Sequence, residues 1–196
     1  MAWLLPVTLT GAQASLVPLD AAHAGPLAEA AGDGALWQLW YTAVPSPGAM
    51  APTIAQLLEH RDRGTVLPFT VLDAQGVPVG MTRLMNVDPV HRRVEIGGTW
   101  YARRVQRSAV NTTAKRLLLA HAFDHLDCIA VEFRTHRLNT QSRRAIERLG
   151  AQLDGVLRNH QRTADGNLRD TAVYSITNDE WPTVRAHLDW QLGRPR

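Results

Sequence analysis

The most informative chemistry in the sequence lies in a loop that links a predicted strand to a predicted long helix. The loop, residues 101–111, carries Arg103, Arg104 and Arg107. A helix N-terminus presents backbone N–H groups without intrahelical partners and a partial positive charge, so it attracts anions. Neighbouring guanidinium groups favour phosphate in particular. The loop therefore predicts a site for a phosphorylated ligand, and the alternative is a surface turn with solvated arginines.

The loop does not match the two phosphate-binding motifs that are recognised by their glycines. A Walker A loop needs Gly-x4-Gly-Lys-Ser/Thr, and a dinucleotide fingerprint needs three spaced glycines. Residues 101–111 supply neither pattern. The sequence therefore predicts a phosphate site of a different kind.

Apolar periodicity and turn residues predict a mixed α/β protein with the order β-α-α-β-β-β-α-β-α-β-β. The predicted strands are 14–18, 66–72, 77–87, 91–101, 129–135, 152–160 and 168–177, with a turn at 164–167. The predicted helices are 21–31, 51–63, 109–127, 139–149 and a tail helix at 180–192. Asp20 is expected to cap the first helix and Gly150 to end the fourth. Adjacent Gly97 and Gly98 predict a bulge or a close approach in the fourth strand.

Composition limits the class of protein. The chain has 196 residues, 45% hydrophobic and 20% charged, which fits one domain over residues 1–196 with a core at about 14–177 and a tail at 178–196. No apolar run approaches the ~18 to 20 residues of a membrane helix, and the start shows no basic leader, so we expect a soluble, cytoplasmic protein. The single cysteine, Cys128, has no partner for a disulfide or a cysteine metal cluster, and we expect no metal site.

Positive charge is concentrated in the second half of the chain. Residues 91–170 contain 15 Lys or Arg and 8 Asp or Glu, a balance of +7, whereas the remainder has 6 and 10, a balance of −4. Lys115 is the only lysine, so this charge is almost entirely arginine. The surplus favours an anionic ligand or partner, with solvated helix faces as the alternative. Because basic residues do not alternate with aromatic ones and no recognition-helix motif is present, we do not expect nucleic acid as the partner.

Three motifs, in order and at the right spacing, resemble those of one family. The run Gln106-Arg-Ser-Ala-Val-Asn111 resembles the Gln/Arg-x-x-Gly-x-Gly/Ala signature of the GCN5-related N-acetyltransferases. Asn139-x-x-Ser142 and Arg148-Leu-Gly-Ala151 resemble the Asn-containing helix of that family and its Leu-Gly-Phe end. The opening Leu16-Val-Pro-Leu19 is similar to that of the branch containing the ribosomal-protein N-terminal acetyltransferases. The resemblance covers about residues 14–177.

This resemblance implies a fold and a cofactor. The fold would be a mixed central sheet of about seven strands with a splay between strands 4 and 5, flanked by helices. The cofactor would be acetyl-CoA, with its pyrophosphate at the strand-to-helix junction and its thioester carbonyl near backbone N–H groups of the splayed strand. Arg143 or Arg144 would reach the 3′-phosphate. The implied cofactor-binding residues are Trp100, Tyr101, Arg103, Arg104, Gln106, Arg107, Ser108, Ala109, Val110, Asn111, Thr112, Asn139, Ser142 and Arg144.

The chain departs from the family pattern at three positions. Ala109 and Asn111 stand where the signature has glycine and glycine or alanine, and their side chains could obstruct a close approach of backbone to phosphate. Ile146 stands where many relatives carry the tyrosine that protonates the departing thiolate. The ribosomal branch resembles this chain in having a serine three residues after the asparagine, so Ser142 becomes the candidate for that role.

The remaining roles in acetyl transfer follow from residue types. Glu95 is the leading candidate for the base that receives the amine proton, because a carboxylate between Val94 and Ile96 is costly unless it is paired. An ion pair with Arg92, Arg93 or a neighbouring strand is the alternative. His136, at a strand end, is the second candidate, and a purely structural hydrogen bond is its alternative. Trp37, Trp40 and Tyr41 would line the acceptor pocket or pack in the core.

The sequence therefore predicts an N-acetyltransferase that transfers an acetyl group from acetyl-CoA to a primary amine directly in a ternary complex. The acceptor would be a protein or peptide N-terminus, or else a small amine. A non-catalytic acyl-CoA-binding or interaction module of the same fold is the alternative class. The tail at 181–192 also leaves a homodimer open.

Overall fold

The computed structural model describes residues 3–163 and 165–194. Met1, Ala2, Ala164, Pro195 and Arg196 lie outside the described residues, and with them part of the chain start, of the turn at 164–167 and of the tail. The strands are β1 (Leu9–Thr10), β2 (Ala14–Pro18), β3 (Leu67–Asp73), β4 (Pro78–Asp88), β5 (Arg93–Tyr101), β6 (Ala130–His136), β7 (Gln152–Arg162) and β8 (Leu168–Thr177). The α-helices are α1 (Ala24–Gly32), α2 (Met50–Asp62), α3 (Val110–Ala120), α4 (Thr140–Glu147) and α5 (Trp181–Gly193).

All strands belong to one mixed sheet of eight strands in the order β1-β2-β3-β4-β5-β6-β8-β7. The seven predicted strands are present, and β1 is added because Leu9 and Thr10 pair with Leu16 and Ser15. Two residues are too few to give a sequence pattern, so this strand was not predicted. The pair β5–β6 is parallel, and the other pairs between described strands are antiparallel. The mixed α/β fold is therefore confirmed.

The parallel pair β5–β6 is short, which confirms the predicted splay. The strands pair only at Arg93–Ala130, Val94–Val131 and Glu95–Glu132, although β5 continues to Tyr101 and β6 to His136. The register of β5 against β4 shifts opposite the adjacent glycines, and Gly98 has a φ of +56°. A bulge of this kind bends a strand, so it turns β5 away from β6.

Two helix ends lie where capping residues predicted them, and the end of α3 does not. Asp20 caps the first helical turn by accepting a hydrogen bond from the Ala22 N–H at 2.8 Å, and Gly150 ends the α4 region with a φ of +100°, as predicted. The helix predicted at 109–127 is α-helical only to Ala120 and continues as a π-helical turn over His121–His125. The Leu126 N–H donates to the carbonyl of His121, an i→i−5 bond that apolar spacing does not reveal.

The two faces of the sheet carry separate cores. On one face, strand residues such as Leu84, Val94 and Phe133 pack against α3, α4 and α5. On the other face, Met81 and Trp100 pack with α1 and α2, and these two helices lie over β4 and β3. The second face of β5, β6 and β8 is therefore left for polar groups. Within the described residues, no helix is both long and apolar enough to span a membrane.

Gly80 provides a test of how tightly β4 and β5 are packed. A Cβ atom at this position would lie 2.1 Å from the carbonyl oxygen of Trp100, so we expect Gly80→Ala to lower the free energy of unfolding by about 2 kcal/mol or more. Gly155→Ala is the matched control, because its Cβ would meet nothing within 4 Å, and it should change stability by less than about 1 kcal/mol. Urea unfolding of both variants measures this, and equal effects would contradict the close approach.

Candidate active site

The N-terminus of α3 presents a group of open backbone donors. The helix begins with the Thr113 N–H donating to the carbonyl of Ala109 at 2.9 Å, and the Ser108 hydroxyl oxygen accepts from the Val110 N–H at 3.3 Å. Within the described chain, no acceptor contacts the remaining N–H groups of this junction, which are those of Arg107, Ala109, Asn111 and Thr112. Donors of this kind bind phosphate oxygens.

The departures from the family signature do not strain the backbone here. Ala109 has φ −73° and ψ −16°, which is ordinary helical geometry, and Asn111 lies inside the helix. The left-handed residue is Arg107, with a φ of +62°. Neither signature position therefore needs glycine for its backbone angles, and only the added Cβ atoms distinguish this loop from the family pattern.

The three arginines of the loop have different surroundings. The Arg104 guanidinium pairs with Asp33 at 3.3 Å, and its backbone N–H donates to the same carboxylate, so Arg104 anchors the loop to the end of α1. Arg103 and Arg107 are exposed and have no ion pair with any described residue. The Gln106 side chain donates to the carbonyl of Tyr101 at 3.0 Å and closes the loop. Arg103 and Arg107 are thus the two loop cations that remain available to an anion.

The end of β5 lies between the two cores. The Trp100 side chain is buried in the α1–α2 core, and the Tyr101 hydroxyl is buried without a partner among the described residues. Burial raises the pKa of Tyr101. Because pairing with β6 stops at Glu95, no strand among the described residues pairs with this edge of β5 around Trp100 and Tyr101. The backbone of that edge is open to a ligand, as the predicted role of these residues requires.

Glu95 is buried with only partial compensation of its charge. It is 5% exposed, and its Oε2 accepts from the Asn86 amide at 2.6 Å and lies 3.6 Å from the Arg134 Nε. Burial raises the pKa of Glu95, while the Asn86 hydrogen bond and the charge of Arg134 oppose the increase. The neighbouring-strand ion pair that we named as the alternative is therefore present, and the carboxyl still has the raised proton affinity of a base.

The other two arginines named as partners of Glu95 are engaged elsewhere. Arg92 pairs with Asp127 at 2.5 Å, and Arg93 pairs with Glu132 at 2.9 Å. Arg134 also binds Glu132, at 2.8 Å. Glu132 thus receives the two close guanidinium groups, and Glu95 retains a longer contact.

His136 faces a cavity next to an exposed tryptophan. Its Nδ1 accepts the Leu138 N–H at 3.0 Å, which places the proton of a neutral ring on Nε2. That Nε2 is buried and has no partner among the described residues. Burial, together with Arg169 and Arg137, lowers the pKa of His136. The ring therefore forms part of the cavity wall, while its Nε2 donor is closed off from the cavity.

The cavity beside His136 has a volume of about 510 Å³ and is lined by Trp40, Arg137, Leu138 and Asp170, among others. The Trp40 ring is 53% exposed and meets the His136 ring edge-on, with 5.1 Å between centroids. The rings of Tyr41 and Trp40 also meet edge-on, with 5.6 Å between their centroids. Trp37 lies partly buried in a turn over Leu36–Gln38. Of the three aromatic candidates, Trp40 is the one that lines this cavity.

The start of α4 matches its predicted organisation. The Asn139 side chain caps the helix by accepting the Ser142 N–H at 3.0 Å. The partly buried Ser142 hydroxyl has no hydrogen-bond partner among the described residues. Arg143 donates to the Tyr174 hydroxyl at 2.8 Å, whereas Arg144 is exposed. Ile146 is 8% exposed and belongs to the α3-side core, so this position serves packing.

Lys115 is the main site residue that sequence reasoning missed. It is 6% exposed, and its Nζ donates to the Thr99 hydroxyl at 2.6 Å and lies 5.9 Å from the centre of the Phe133 ring. Thr99 is on β5 and Phe133 is on β6. The Lys115 amine therefore lies over the gap between these two strands, on the face that α3 covers. Burial lowers the pKa of Lys115 to about 7, and the charge of Glu95 opposes the decrease. Its position four residues after Asn111, on the apolar repeat of the helix, was the available signal.

Comparison with known proteins agrees with this geometry. The family model described as "Acetyltransferase (GNAT) domain" matches residues 14–152. The chain is 33% identical over 102 residues to "Putative ribosomal N-acetyltransferase YdaF" of Bacillus subtilis, which is 52% of this chain and 55% of that protein. The match thus spans about half the length of that curated relative.

Solved structures are similar over nearly the whole chain. A GCN5-related N-acetyltransferase from Brucella melitensis is 28% identical with a TM-score of 0.87, over 97% of this chain and 87% of that one. Mycobacterium smegmatis RimJ in complex with CoA-disulfide is 22% identical with a TM-score of 0.82, over 96% of both chains. At that identity the second structure supports the fold alone.

The buried Lys115 predicts a pH-dependent stability. Its pKa is about 7 in the folded protein against a usual 10.5, so the unfolded state binds more protons between these values and stability rises with pH across that interval. Lys115→Met removes this dependence. The unfolding free energy of the original protein minus that of K115M should therefore increase from about pH 7 to about pH 9.5 in urea titrations.

Arg116→Met is the control for this measurement, because it removes the neighbouring cation on the same helix, which pairs with Asp189. Its difference from the original protein should be constant with pH. A constant difference for K115M as well would show that Lys115 is not held neutral by burial.

Proposed function

Because the chain belongs to the GNAT acetyltransferase domain family, we propose that it transfers an acetyl group from acetyl-CoA to a primary amine within a ternary complex. The observation that carries the proposal is the group of open N–H donors at the start of α3, next to the point where β5 separates from β6. A diphosphate is a suitable ligand for such donors, and the open edge of β5 is a suitable place for amide groups that lead away from it.

The residues fit the cofactor by charge as well as by geometry. Arg103 and Arg107 are exposed at the junction, and the positions that depart from the signature keep helical backbone angles. In the proposed complex, the N–H groups of residues 107–112 and these two arginines bind the phosphates, Arg144 is near the 3′-phosphate, and the backbone at Trp100 and Tyr101 binds the amide arm. Arg104 and Gln106 contribute by holding the loop.

The proposed mechanism uses the two faces of the sheet for different tasks. The bound thioester supplies the acetyl group. Glu95 accepts a proton from the acceptor ammonium group, for which its raised pKa is suited. The amine nitrogen then forms a bond to the acetyl carbon as the carbon–sulfur bond breaks, and the second amine proton goes to the leaving sulfur. The Ser142 hydroxyl, which has no hydrogen bond to the described residues, donates a hydrogen bond toward that sulfur, and open N–H groups on β5 stabilise negative charge on the carbonyl oxygen.

His136 takes a different part in this proposal from the one first considered. Because its Nδ1 already accepts the Leu138 N–H and its Nε2 is buried, neither ring nitrogen is open to the acceptor amine, and we assign His136 to positioning the end of β6. This favours Glu95 over His136 as the base. Trp40 forms the opposite wall of the acceptor cavity.

We propose that the acceptor is the amino terminus of a protein or peptide. The named relative is a ribosomal N-acetyltransferase, and the cavity of about 510 Å³ has room for several atoms beyond the amine. A small amine is the alternative acceptor. A non-catalytic acyl-CoA-binding module is the alternative class, which Ile146, buried where relatives have an acid, would favour.

Calorimetry with acetyl-CoA and with S-acetylpantetheine tests the cofactor assignment. Since the second compound lacks the diphosphate, acetyl-CoA should bind at least about 100-fold more tightly, as loss of several charge-assisted hydrogen bonds implies. Arg107→Gln should weaken acetyl-CoA binding, and Arg63→Gln, on the exposed end of α2, is the charge-matched control. Equal affinities for the two thioesters would contradict binding of the diphosphate at α3.

Detection of free thiol with a panel of amines tests the chemistry. We expect Glu95→Gln to lower kcat by about 100-fold or more with little change in acetyl-CoA affinity, and to abolish the rise of kcat/KM with pH. Ser142→Ala should lower kcat by about tenfold, the value of one hydrogen bond to a developing charge. Glu59→Gln, an exposed carboxylate on α2, is the control. Undiminished turnover in both site variants would show that the assigned roles are wrong, and absence of turnover with every amine would favour the binding module.

A further inference from the structure

The chain places its only lysine inside the protein. Of the 21 Lys and Arg residues, Lys115 alone is a lysine, and it is 6% exposed. A guanidinium group keeps its proton at any physiological pH, whereas a buried lysine amine can release and recover one. Burial lowers the pKa of Lys115 to about 7, against the opposing charge of Glu95. Lys115 can therefore exchange a proton near neutral pH, and the proposed mechanism does not use it.

The Lys115 amine lies at the point where β5 and β6 separate. Its Nζ donates to the Thr99 hydroxyl at 2.6 Å and lies 5.9 Å from the centre of the Phe133 ring. Phe133 directly follows Glu132, the last residue of β6 that pairs with β5, and Thr99 directly follows the glycine bulge of β5. The amine is therefore over the narrow end of the gap between the two strands.

The ammonium form of Lys115 has more N–H groups than close oxygen partners. An ammonium group has three donors. Thr99 accepts one of them, and the Thr82 hydroxyl lies at 3.5 Å, which is long for a hydrogen bond. The two threonine hydroxyls also bind each other at 2.8 Å. No carboxylate of the described residues lies within 4.0 Å of the amine, so at least one donor is available to a ligand in the gap.

The proposed path of the cofactor brings a sulfur atom to the same place. Lys115 is four residues, or about 6 Å along α3, beyond Asn111, so it lies one helical turn after the phosphate donors. The open edge of β5 leads from Tyr101 past Thr99 to Glu95. An amine that gives its proton to Glu95 can attack the acetyl carbon only at the end of this edge. Since the arm enters from the α3 side, the sulfur next to that carbon faces the Lys115 amine.

We propose that Lys115 is the catalytic acid that protonates the departing sulfur. This inference rests on the proposed acetyl transfer and adds the proton donor that the reaction needs. As the nitrogen–carbon bond forms and the carbon–sulfur bond breaks, the Lys115 ammonium group gives a proton to the sulfur. The neutral Lys115 amine then takes the second proton of the acceptor nitrogen, while Glu95 has taken the first. The products are an amide and a thiol, and Lys115 returns to its starting state.

Lys115 is better suited to this role than the other two positions considered for it. Ile146 stands where many relatives have a tyrosine, but its side chain has no proton to give and is buried in the core. The Ser142 hydroxyl can donate a hydrogen bond to the sulfur, but a serine hydroxyl does not lose its proton at neutral pH. An amine whose pKa is near 7 is matched to proton transfer at that pH. Ser142 thus stabilises the sulfur, and Lys115 protonates it.

Because Lys115 is the only lysine, its titration can be followed without interference from other lysines. Protein labelled with ¹³C at the lysine Cε gives one resonance, whose chemical shift against pH reports the pKa of Lys115. The titration is made with coenzyme A and with desulfo-coenzyme A, in which hydrogen replaces the thiol. A thiolate beside the ammonium group favours the charged lysine, so coenzyme A should give a pKa about one unit or more above that with desulfo-coenzyme A. A pKa value that is the same in the two complexes overturns the assignment.

Variants test the role in turnover. Lys115→Met should lower kcat by about 100-fold, the loss expected for a general acid, with little change in acetyl-CoA affinity. Lys115→Arg should not restore kcat, since a guanidinium group does not release its proton. Arg116→Met removes the neighbouring cation, which pairs with Asp189, and as the control it should leave kcat unchanged. Undiminished kcat in Lys115→Met overturns the catalytic role, and if that variant does not fold, the titration of the original protein decides.

The outcomes separate this inference from the proposed function. Coenzyme A binding that leaves the pKa of Lys115 equal to its value with desulfo-coenzyme A overturns the inference and leaves acetyl transfer intact. Absence of coenzyme A binding in calorimetry overturns the proposed function and the acid role with it. A raised pKa in a protein that turns over no amine overturns the catalytic role. A raised pKa together with turnover that Lys115→Met loses supports both proposals.

Discussion

The pairing of β5 with β6 stops at Glu95, and the site depends on that early stop. Parallel strands normally satisfy each other's backbone groups along their whole length, but here three residue pairs hold the strands and the Gly97–Gly98 bulge bends β5 away. The separated edge of β5 retains open backbone groups, and the loop after it leads directly to the start of α3. A longer pairing would fill this edge and close the passage between the faces.

The sheet keeps incompatible chemical environments apart. The α3 side carries the backbone donors and exposed arginines suited to phosphates, while the face on which α1 and α2 pack carries Glu95, its partner Arg134 and His136. Lys115 bridges these environments through Thr99 at 2.6 Å, and burial without a contacting carboxylate holds its pKa near 7. Because burial favours the neutral form of this amine, Lys115 bonds the threonine hydroxyl with less charge beside the splay than an exposed lysine would carry.

The electrostatics around Glu95 follow from an unequal distribution of charged partners between Glu95 and Glu132. Glu132 accepts from two arginines, which leaves Glu95 with a long ion pair and one amide hydrogen bond. Burial therefore raises the pKa of Glu95, whereas the hydrogen bonds from Arg93 and Arg134 lower the pKa of Glu132 despite its burial. The same distribution leaves Arg83 and Arg169 without a carboxylate within 4.0 Å among the described residues.

The sequence by itself determined the seven main strands, the caps at Asp20 and Gly150, the glycine bulge and the position of the arginine-bearing loop before α3. These features depend on local periodicity, capping and backbone angles, which neighbouring residues encode. Only the tertiary structure decided that Arg104 anchors to Asp33, that Ile146 packs in the core, and that Glu95 meets Asn86 and Arg134. It also decided the burial of Lys115 and the isolation of Arg83 and Arg169. Those properties depend on which strands are neighbours and which face a helix covers, and sequence spacing carries no information about such distant contacts.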